Sequence, residues 1–176
     1  ILCFSYNERN KKLEDHGIAA HVKPGSGPRH LVFSPNGKYA YLMSELSGKV
    51  TVYSYSDGKL KELQSIAADY ANARGGADIH VSPDGSFVYA STRLKGDGIT
   101  IFRVNNNGTL TRIGAQFTGR HPRNFAITPN AKFLLVACRD DNSIEVYSRD
   151  KFTGLLKNTN QDIILSHPVC VKFYPE

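Results

Sequence analysis

A short phrase recurs along this chain of 176 residues, and its regular spacing limits the fold more than any other feature. Three copies consist of Ser or Thr, then Pro, then Asn or Asp, then Gly or Ala, and a truncated Tyr-Pro stands near the chain end: Ser34–Gly37, Ser82–Gly85, Thr128–Ala131 and Tyr174–Pro175. The prolines lie at positions 35, 83, 129 and 175, so their separations are 48, 46 and 46 residues. A period of this length is typical of propellers and solenoids.

Each repeat contains four candidate strands, joined by residues that favour tight turns. In the first full repeat these strands are His30–Phe33, Tyr39–Ser44, Val50–Tyr55 and Leu60–Ile66. The corresponding segments of the next two repeats are Ile79–Val81, Phe87–Thr92, Ile99–Val104, Leu110–Ala115, Phe125–Ile127, Phe133–Cys138, Ile144–Tyr147 and Leu155–Lys157. Four antiparallel strands per repeat describe one blade of a β-propeller. No segment shows a helical period.

We therefore predict an all-β fold, a partial β-propeller of four-stranded antiparallel blades with three full blades and two partial ones. The predicted full blades are 23–70, 71–116 and 117–166. Residues 1–22 would end a preceding blade, and 167–176 would supply the inner strand of a closing blade. Propellers carry 4–8 blades, and the sequence begins without Met in a strand-like segment. We accordingly expect a fragment whose missing N-terminal half is its structural partner.

The composition favours a small anionic partner. The net charge is +6, which suits phosphorylated or carboxylated molecules. No run of Lys or Arg exceeds two residues, which argues against nucleic acid. No apolar stretch approaches the roughly 20 residues of a membrane span. The three cysteines lie in apolar, strand-like runs, so we predict small core residues and a cytoplasmic location.

Charged residues recur at fixed distances from the repeated prolines. Glu45, Arg93 and Arg139 lie ten residues after the first three prolines, and Arg29 and Arg123 lie six residues before the first and third. The start of an inner strand and the end of its antiparallel neighbour share one face, so these side chains should surround one mouth of the central channel. Arginine binds carboxylates and phosphates in a bidentate manner. The cluster thus indicates an anion pocket, in which Glu45 is the best general acid–base candidate.

Four histidines lie at or near the predicted inner strands. His30 and His80 lie on predicted inner strands and are candidate substrate-binding residues, although a packed core histidine is the ordinary alternative. His121 and His167 precede prolines and are interpreted as shaping the entry to an inner strand. Repeated charges can also form salt bridges between blades, and Arg139 fits that role equally well because two aspartates follow it.

The sequence predicts neither a cofactor nor a metal. It contains no nucleophile elbow of the Gly-x-Ser-x-Gly type, no Walker or dinucleotide-binding glycine pattern and no metal-ligand spacing.

Several motifs together resemble the seven-bladed β-propeller lactonase family over essentially the whole chain. They are Gly27–Lys38, Ser44–Leu46, Ala77–Gly85, Tyr89–Arg93, Pro122–Ile127 and Pro168–Phe173. The resemblance implies that Arg29, Glu45 and Arg93 match the family's proposed catalytic positions, and that a further histidine lies in the missing N-terminal half of the propeller. The family usually reads Ser-Asn-Arg where this chain has Ser91-Thr92-Arg93. Members of the family act on anionic lactones.

The leading hypothesis is therefore a lactonase, a carboxylic-ester hydrolase of the pentose phosphate pathway, that converts 6-phosphogluconolactone to 6-phosphogluconate. Arg93, Arg123 and Arg139 would hold the phosphate, Arg29 would stabilise the oxyanion, and Glu45, kept ionised between arginines, would activate water. One alternative is a muconate-type lactonizing cycloisomerase. Another is a non-catalytic propeller that binds an anionic ligand or partner. We expect the fragment alone to be incomplete as an enzyme.

Overall fold

The computed structural model describes residues 1–174, and nearly all regular structure in that part of the chain is β-strand. The strands of the first half are β1 (Leu2–Asn7), β2 (Lys12–Ile18), β3 (Pro28–Phe33), β4 (Tyr39–Ser44), β5 (Lys49–Ser56), β6 (Lys59–Ala67), β7 (Gly76–Val81) and β8 (Phe87–Thr92). Those of the second half are β9 (Gly98–Val104), β10 (Leu110–Phe117), β11 (Pro122–Ile127), β12 (Phe133–Cys138), β13 (Ser143–Arg149), β14 (Leu156–Asn158) and β15 (Ile163–Ile164). A short 3-10 helix spans Arg139–Asp141.

The strands form successive antiparallel meanders. The sheets have the orders β3-β4-β5-β6, β7-β8-β9-β10 and β11-β12-β13-β14, and β1 pairs with β2 in a separate hairpin. The predicted fold class, a partial propeller of four-stranded antiparallel blades, is confirmed. The short strand β15, which pairs with β13 as a fifth strand, was not predicted. The first and third meanders fall within the predicted blade ranges, and the second ends at Phe117, one residue beyond its range; the exact blade boundaries stay predictions.

The repeated phrase forms the turn between the first and second strands of each blade. The Ser34 hydroxyl donates to Asn36 Oδ1 (2.7 Å) and accepts the N–H of Tyr39 (3.0 Å). Ser82 and Thr128 make the same two bonds in the next two blades. Because side chains of Ser, Asn and Asp readily hydrogen-bond nearby backbone, the phrase fixes the point where every second strand begins.

The core lies between neighbouring blades, where the second strands are almost entirely buried. Tyr41 Oη donates to the carbonyl of Gly108 at 3.2 Å, and Tyr89 Oη donates to that of Gly154 at 2.8 Å. These two contacts occupy equivalent repeat positions, and each joins the second strand of one blade to the outer turn of the next. The repeat therefore encodes the packing between blades as well as the strands within them.

The end of the described chain differs from the sequence expectation. Residues 167–174 form no strand with the rest of the described chain. Val171 N–H does donate to Asn124 Oδ1 at 2.6 Å. Pro175 and Glu176 lie outside the described residues, so the predicted inner strand over 167–176 stays a prediction for the closing blade.

The structure also bears on the predicted burial of the cysteines and on membrane-spanning segments. Cys138 is buried as predicted, whereas Cys170 is exposed, so the core prediction was wrong there. Within residues 1–174 no helix has the length and hydropathy to cross a membrane.

Candidate active site

Strand ends of three blades bring the predicted charged residues to one mouth. Arg29 lies on β3, and Glu45 directly follows its antiparallel partner β4. Arg93 directly follows β8 in the second blade. Arg123 lies on β11, and Arg139 directly follows the partner strand β12.

Glu45 joins two arginines from different blades. Its Oε2 lies 3.3 Å from Arg29 Nε, and its Oε1 accepts a hydrogen bond from Arg93 Nη2 at 2.6 Å. The Glu45 side chain is 43% exposed, whereas those of Arg29 and Arg93 are 17% and 6% exposed. The structure therefore brings Arg29, Glu45 and Arg93 together, with the carboxylate open to solvent and the guanidiniums behind it.

Arg93 is held by several groups of the protein. Its Nη1 bonds His121 Nε2 at 3.0 Å, and its Nε and Nη2 donate to the carbonyls of Gly75 and Gly76, both at 3.4 Å. Together with the bond to Glu45, these contacts occupy all three nitrogens. Four of its five N–H groups are therefore bonded, and the side chain is only 6% exposed, which leaves a single N–H on Nη1 for the phosphate-binding role expected from the sequence. Arg93 is placed to hold Glu45 and His121.

Arg29 retains one open donor group. Its Nη1 donates to the carbonyl of Ala77 and contacts His30 Nε2, both at 3.1 Å. Its Nη2 has no hydrogen-bond partner among residues 1–174. Burial and then the nearby charge of Arg93 lower the pKa of the Arg29 guanidinium, against the opposing effect of Glu45. The Nη2 group can therefore bind an oxygen atom of a ligand.

Two histidines lie between a carboxylate and an arginine. His30 Nδ1 lies 2.6 Å from Asp78 Oδ1, and His121 Nδ1 lies 3.4 Å from Asp140 Oδ2. A guanidinium has only donors, so the Nε2 atom that faces it must accept and Nδ1 must donate. Burial, then the charges of Arg139 and Arg93, lower the pKa of His121. Two carboxylate–imidazole–guanidinium chains therefore converge on Glu45.

Sequence reasoning missed Asp78 and His121. His121 was interpreted as a residue that shapes a strand entry, but it bonds Arg93 and has a left-handed backbone conformation (φ 61°). Such strain in a non-glycine residue is often found at functional sites. Asp78 sits inside the Ala77–Gly85 motif. A single carboxylate between the apolar residues Ala77 and Ile79, next to a predicted inner strand, was a sequence signal that could have identified it.

The remaining candidates have unequal environments. Arg123 is half-buried and forms no hydrogen bond or ion pair within the described chain, and its positive charge acts on both Arg29 and His121. Arg139 pairs with its sequence neighbour Asp140 at 2.7 Å and forms no salt bridge between blades within the described chain, so its role stays a prediction. His80 lies 3.1 Å from Asp78 and packs edge-on against Phe125. Arg123 is thus the open cation of the mouth.

The arrangement is suited to an anion that is attacked at a polarised carbonyl. It offers the open donors of Arg29 and Arg123 beside the half-exposed carboxylate of Glu45. Within residues 1–174 no group of three or more His, Cys, Asp or Glu side chains could hold a metal ion.

Comparison with known proteins identifies similar chains of about twice this length. The family described as lactonase, 7-bladed beta-propeller, matches residues 1–173. The chain is 49% identical over 154 residues to a 6-phosphogluconolactonase of Formosa agariphila, which covers 84% of this chain and 43% of that protein. It is 36% identical over 177 residues to a 6-phosphogluconolactonase of Bacillus subtilis, covering 97% and 50%.

A solved structure agrees with the sequence comparison. The crystal structure of a candidate 6-phosphogluconolactonase from Bacteroides uniformis superposes with a TM-score of 0.94 at 57% identity, covering 98% of this chain and 51% of that chain. The chain therefore spans about half the length of the curated relatives that it matches.

Proposed function

Because the chain belongs to the seven-bladed β-propeller lactonase family, we propose that the protein containing it hydrolyses 6-phosphogluconolactone to 6-phosphogluconate. The observation that carries this proposal is the placement of a half-exposed Glu45 between Arg29 and Arg93. The 6-phosphogluconolactonase names of the similar proteins support the same substrate.

Substrate binding depends on the two arginines with open donors. Arg123 has no ion-pair partner in the described chain, so it would bind the phosphate through charge-assisted hydrogen bonds. The open Nη2 of Arg29 would bind the lactone carbonyl oxygen, where negative charge develops during attack. The buried Arg93 would keep its side of Glu45 fixed without touching the substrate.

Glu45 would move the proton. It accepts a proton from water as the water oxygen adds to the carbonyl carbon and forms a tetrahedral oxyanion. The bond between that carbon and the ring oxygen then breaks, and the ring oxygen receives the proton back from Glu45. One lactone and one water give one hydroxy acid, so the atoms balance. A positioned acid–base group contributes about 10²–10⁴ to the rate.

The proposed active unit is the longer protein, since the chain covers about half of its relatives. Its substrate partner would be a small anionic lactone, and the other half of the propeller would complete the pocket. The cytoplasmic location and the place in the pentose phosphate pathway belong to this proposal.

The test is the rate of 6-phosphogluconolactone hydrolysis by the full-length protein. Glu45→Gln keeps the side-chain volume and removes the proton acceptor, so we expect kcat to fall at least about 10²-fold. Glu8→Gln, at an exposed carboxylate in the turn after β1, is the control and should retain full turnover. Undiminished turnover in Glu45→Gln would remove Glu45 from the mechanism.

The alternative functions give different results in the same assay. Turnover of muconates without turnover of the phosphorylated lactone would indicate a lactonizing cycloisomerase. Anion binding without turnover of either compound would indicate a binding propeller.

A further inference from the structure

Asp78 is a buried carboxylate that connects three blades. It lies on β7 and is 3% exposed. Its Oδ1 accepts from His30 Nδ1 at 2.6 Å and from its neighbour Ile79 N–H at 2.9 Å. Its Oδ2 accepts from His80 Nε2, from the Asn124 amide and from the backbone N–H of Phe125. Few buried side chains in the described chain collect donors from so many elements.

These donors fix the charge of Asp78. Burial by itself would raise its pKa, but the hydrogen bonds and charge of His80, then the bonds from His30 and Phe125, lower the pKa to about 2. An ionised carboxylate only accepts hydrogen bonds. His30 must therefore turn an N–H toward Asp78, and the tautomer with the proton on Nδ1 is selected.

The selected tautomer determines what His30 can offer to Arg29. With the proton on Nδ1, the unprotonated Nε2 faces Arg29 Nη1 at 3.1 Å and accepts its hydrogen bond. Arg29 is thereby held at Nη1 by His30 and the Ala77 carbonyl, and at Nε by Glu45. The group left open is Nη2, whose direction depends on all these anchors.

We infer that Asp78 is a positioning residue for lactone hydrolysis, which acts through His30 to aim the open Nη2 of Arg29 at the substrate carbonyl. The inference rests on the proposed function. A carboxylate that orients an imidazole by holding one tautomer is an effective catalytic arrangement, and in serine proteases the loss of that carboxylate lowers kcat about 10⁴-fold. Here the imidazole would orient a guanidinium, so we expect a smaller effect.

A purely structural role for Asp78 is the competing explanation. Its bonds to Asn124 and Phe125 join the second blade to the third and would stabilise the fold whether or not His30 is present. The experiment must therefore separate the orientation of His30 from the stability of the protein.

The central variant is Asp78→Asn in the full-length protein. Asn has the same shape, but it carries no charge and has one acceptor oxygen for donors that lie on both sides of the carboxylate, so the His30 N–H is no longer held by a fixed anionic acceptor. We expect kcat for 6-phosphogluconolactone to fall about 10- to 10³-fold with KM changed by less than about threefold. The ¹⁵N spectrum of the His30 ring should show a single tautomer in the unchanged protein and a mixture in the variant.

Asp84→Asn provides the matched control. Asp84 also bonds across a blade interface, to Arg149 at 3.2 Å, but it lies in the turn at the other end of the inner strand. Its replacement should lower the unfolding temperature while kcat and the His30 spectrum remain unchanged. If Asp78→Asn does not fold, His30→Gln tests the same connection, and a kcat loss of the size stated above is expected.

The outcomes separate the two claims. Retention of kcat by a folded Asp78→Asn, or of a single His30 tautomer, would overturn the positioning role. Absence of lactone turnover in the unchanged protein would overturn the proposed function. In that case the His30 spectrum and the affinity for inorganic phosphate in Asp78→Asn still decide whether Asp78 orients the Arg29 site.

Discussion

Arg93 and Arg123 have the same charge at one mouth of the molecule, yet their surroundings differ completely. Arg93 is buried and bonded at every nitrogen, whereas Arg123 is half-buried and has no partner in the described chain. A guanidinium that is already satisfied contributes rigidity, and an open one contributes affinity. Removal of each arginine should therefore affect a different property of the protein.

Removal of Arg123 should weaken substrate binding. A hydrogen bond to a charged group contributes about 1.5–3 kcal/mol, so we expect KM for the phosphorylated lactone to rise about 10- to 100-fold in Arg123→Ala of the full-length protein. Stability should change little, since no described residue loses a partner. Steady-state kinetics measure KM, and an unchanged KM would show that Arg123 does not bind the phosphate. Arg120→Ala, an exposed arginine bonded to Asp141, is the control.

Removal of Arg93 should destabilise the protein. Arg93→Ala would remove one of the two arginines that contact Glu45 and the side-chain donor to His121 and to the Gly76 carbonyl, and such a loss at a buried pair costs about 3–5 kcal/mol. Because Glu45 is 43% exposed, we expect the lower end of that range. Urea unfolding measures the change. A loss below about 1 kcal/mol would show that the Arg93 contacts are weak.

The stability of the site should depend on pH through His121. Burial and nearby arginines lower the pKa of His121 in the folded state below its ordinary 6.5. As the pH falls below about 6.5, the unfolded chain binds the proton first, so the free energy of unfolding decreases until the folded-state pKa is passed. We expect a shallower decrease between pH 7 and 5 in His121→Gln. His21→Gln, at an exposed histidine, should retain the original slope.

At the scale of elements, the outer turns carry the packing between blades. Gly108 and Gly154 have positive φ angles of 80° and 75°, and a Cβ at either would lie 2.3–2.4 Å from the ring of Tyr39 or Phe87 in the neighbouring blade. The same glycines accept the tyrosine hydroxyl bonds between blades. These positions therefore need glycine for the turn and for the close approach of the next blade.

Gly154→Ala should be more destabilising than an alanine at an inner turn. The matched control is Gly85→Ala, where φ is 73° and the nearest atom, Pro35 Cδ, lies at an ordinary 3.4 Å. Both variants bear the cost of a positive φ, about 1–2 kcal/mol, but only Gly154→Ala adds overpacking of about 1–3 kcal/mol. Chemical denaturation measures the difference, and equal losses would contradict a steric limit at the outer turn.

The sequence predicted the strands well because each repeat contains a turn-forming phrase that marks where a strand begins. Tyr39–Ser44 and Phe87–Thr92 match the observed strands without error, since the preceding phrase hydrogen-bonds its own backbone. The charged cluster could be predicted because its residues lie at fixed distances from the proline of that phrase. The sequence did not indicate the contacts of Arg93 with the Gly75 and Gly76 carbonyls, because they depend on how a long loop folds back. The two-residue strand β15 was missed because no turn-forming phrase of the repeat precedes it.

At the scale of the whole molecule, apolar side chains remain exposed at both ends of the series of blades. On β1 they alternate along one face, and Leu2 and Tyr6 are 59% and 56% exposed. Leu13 on β2 is 68% exposed, and Ile164 near the other end is 80% exposed. A two-stranded sheet such as the β1–β2 hairpin is marginally stable without neighbours. These faces require a cover, and in the proposed longer protein the remaining blades would supply it.

The 176-residue chain expressed alone should therefore self-associate, whereas the full-length protein should not. Exposed apolar patches promote association, and a net charge of +6 opposes it only at low salt. We expect light scattering to show association that persists or grows as salt is added. Tyr6→Ser combined with Leu13→Ser should reduce it, while the surface control Arg9→Ser should not. A monomer at high concentration that does not bind a hydrophobic dye would show that the three described blades cover their own apolar surface.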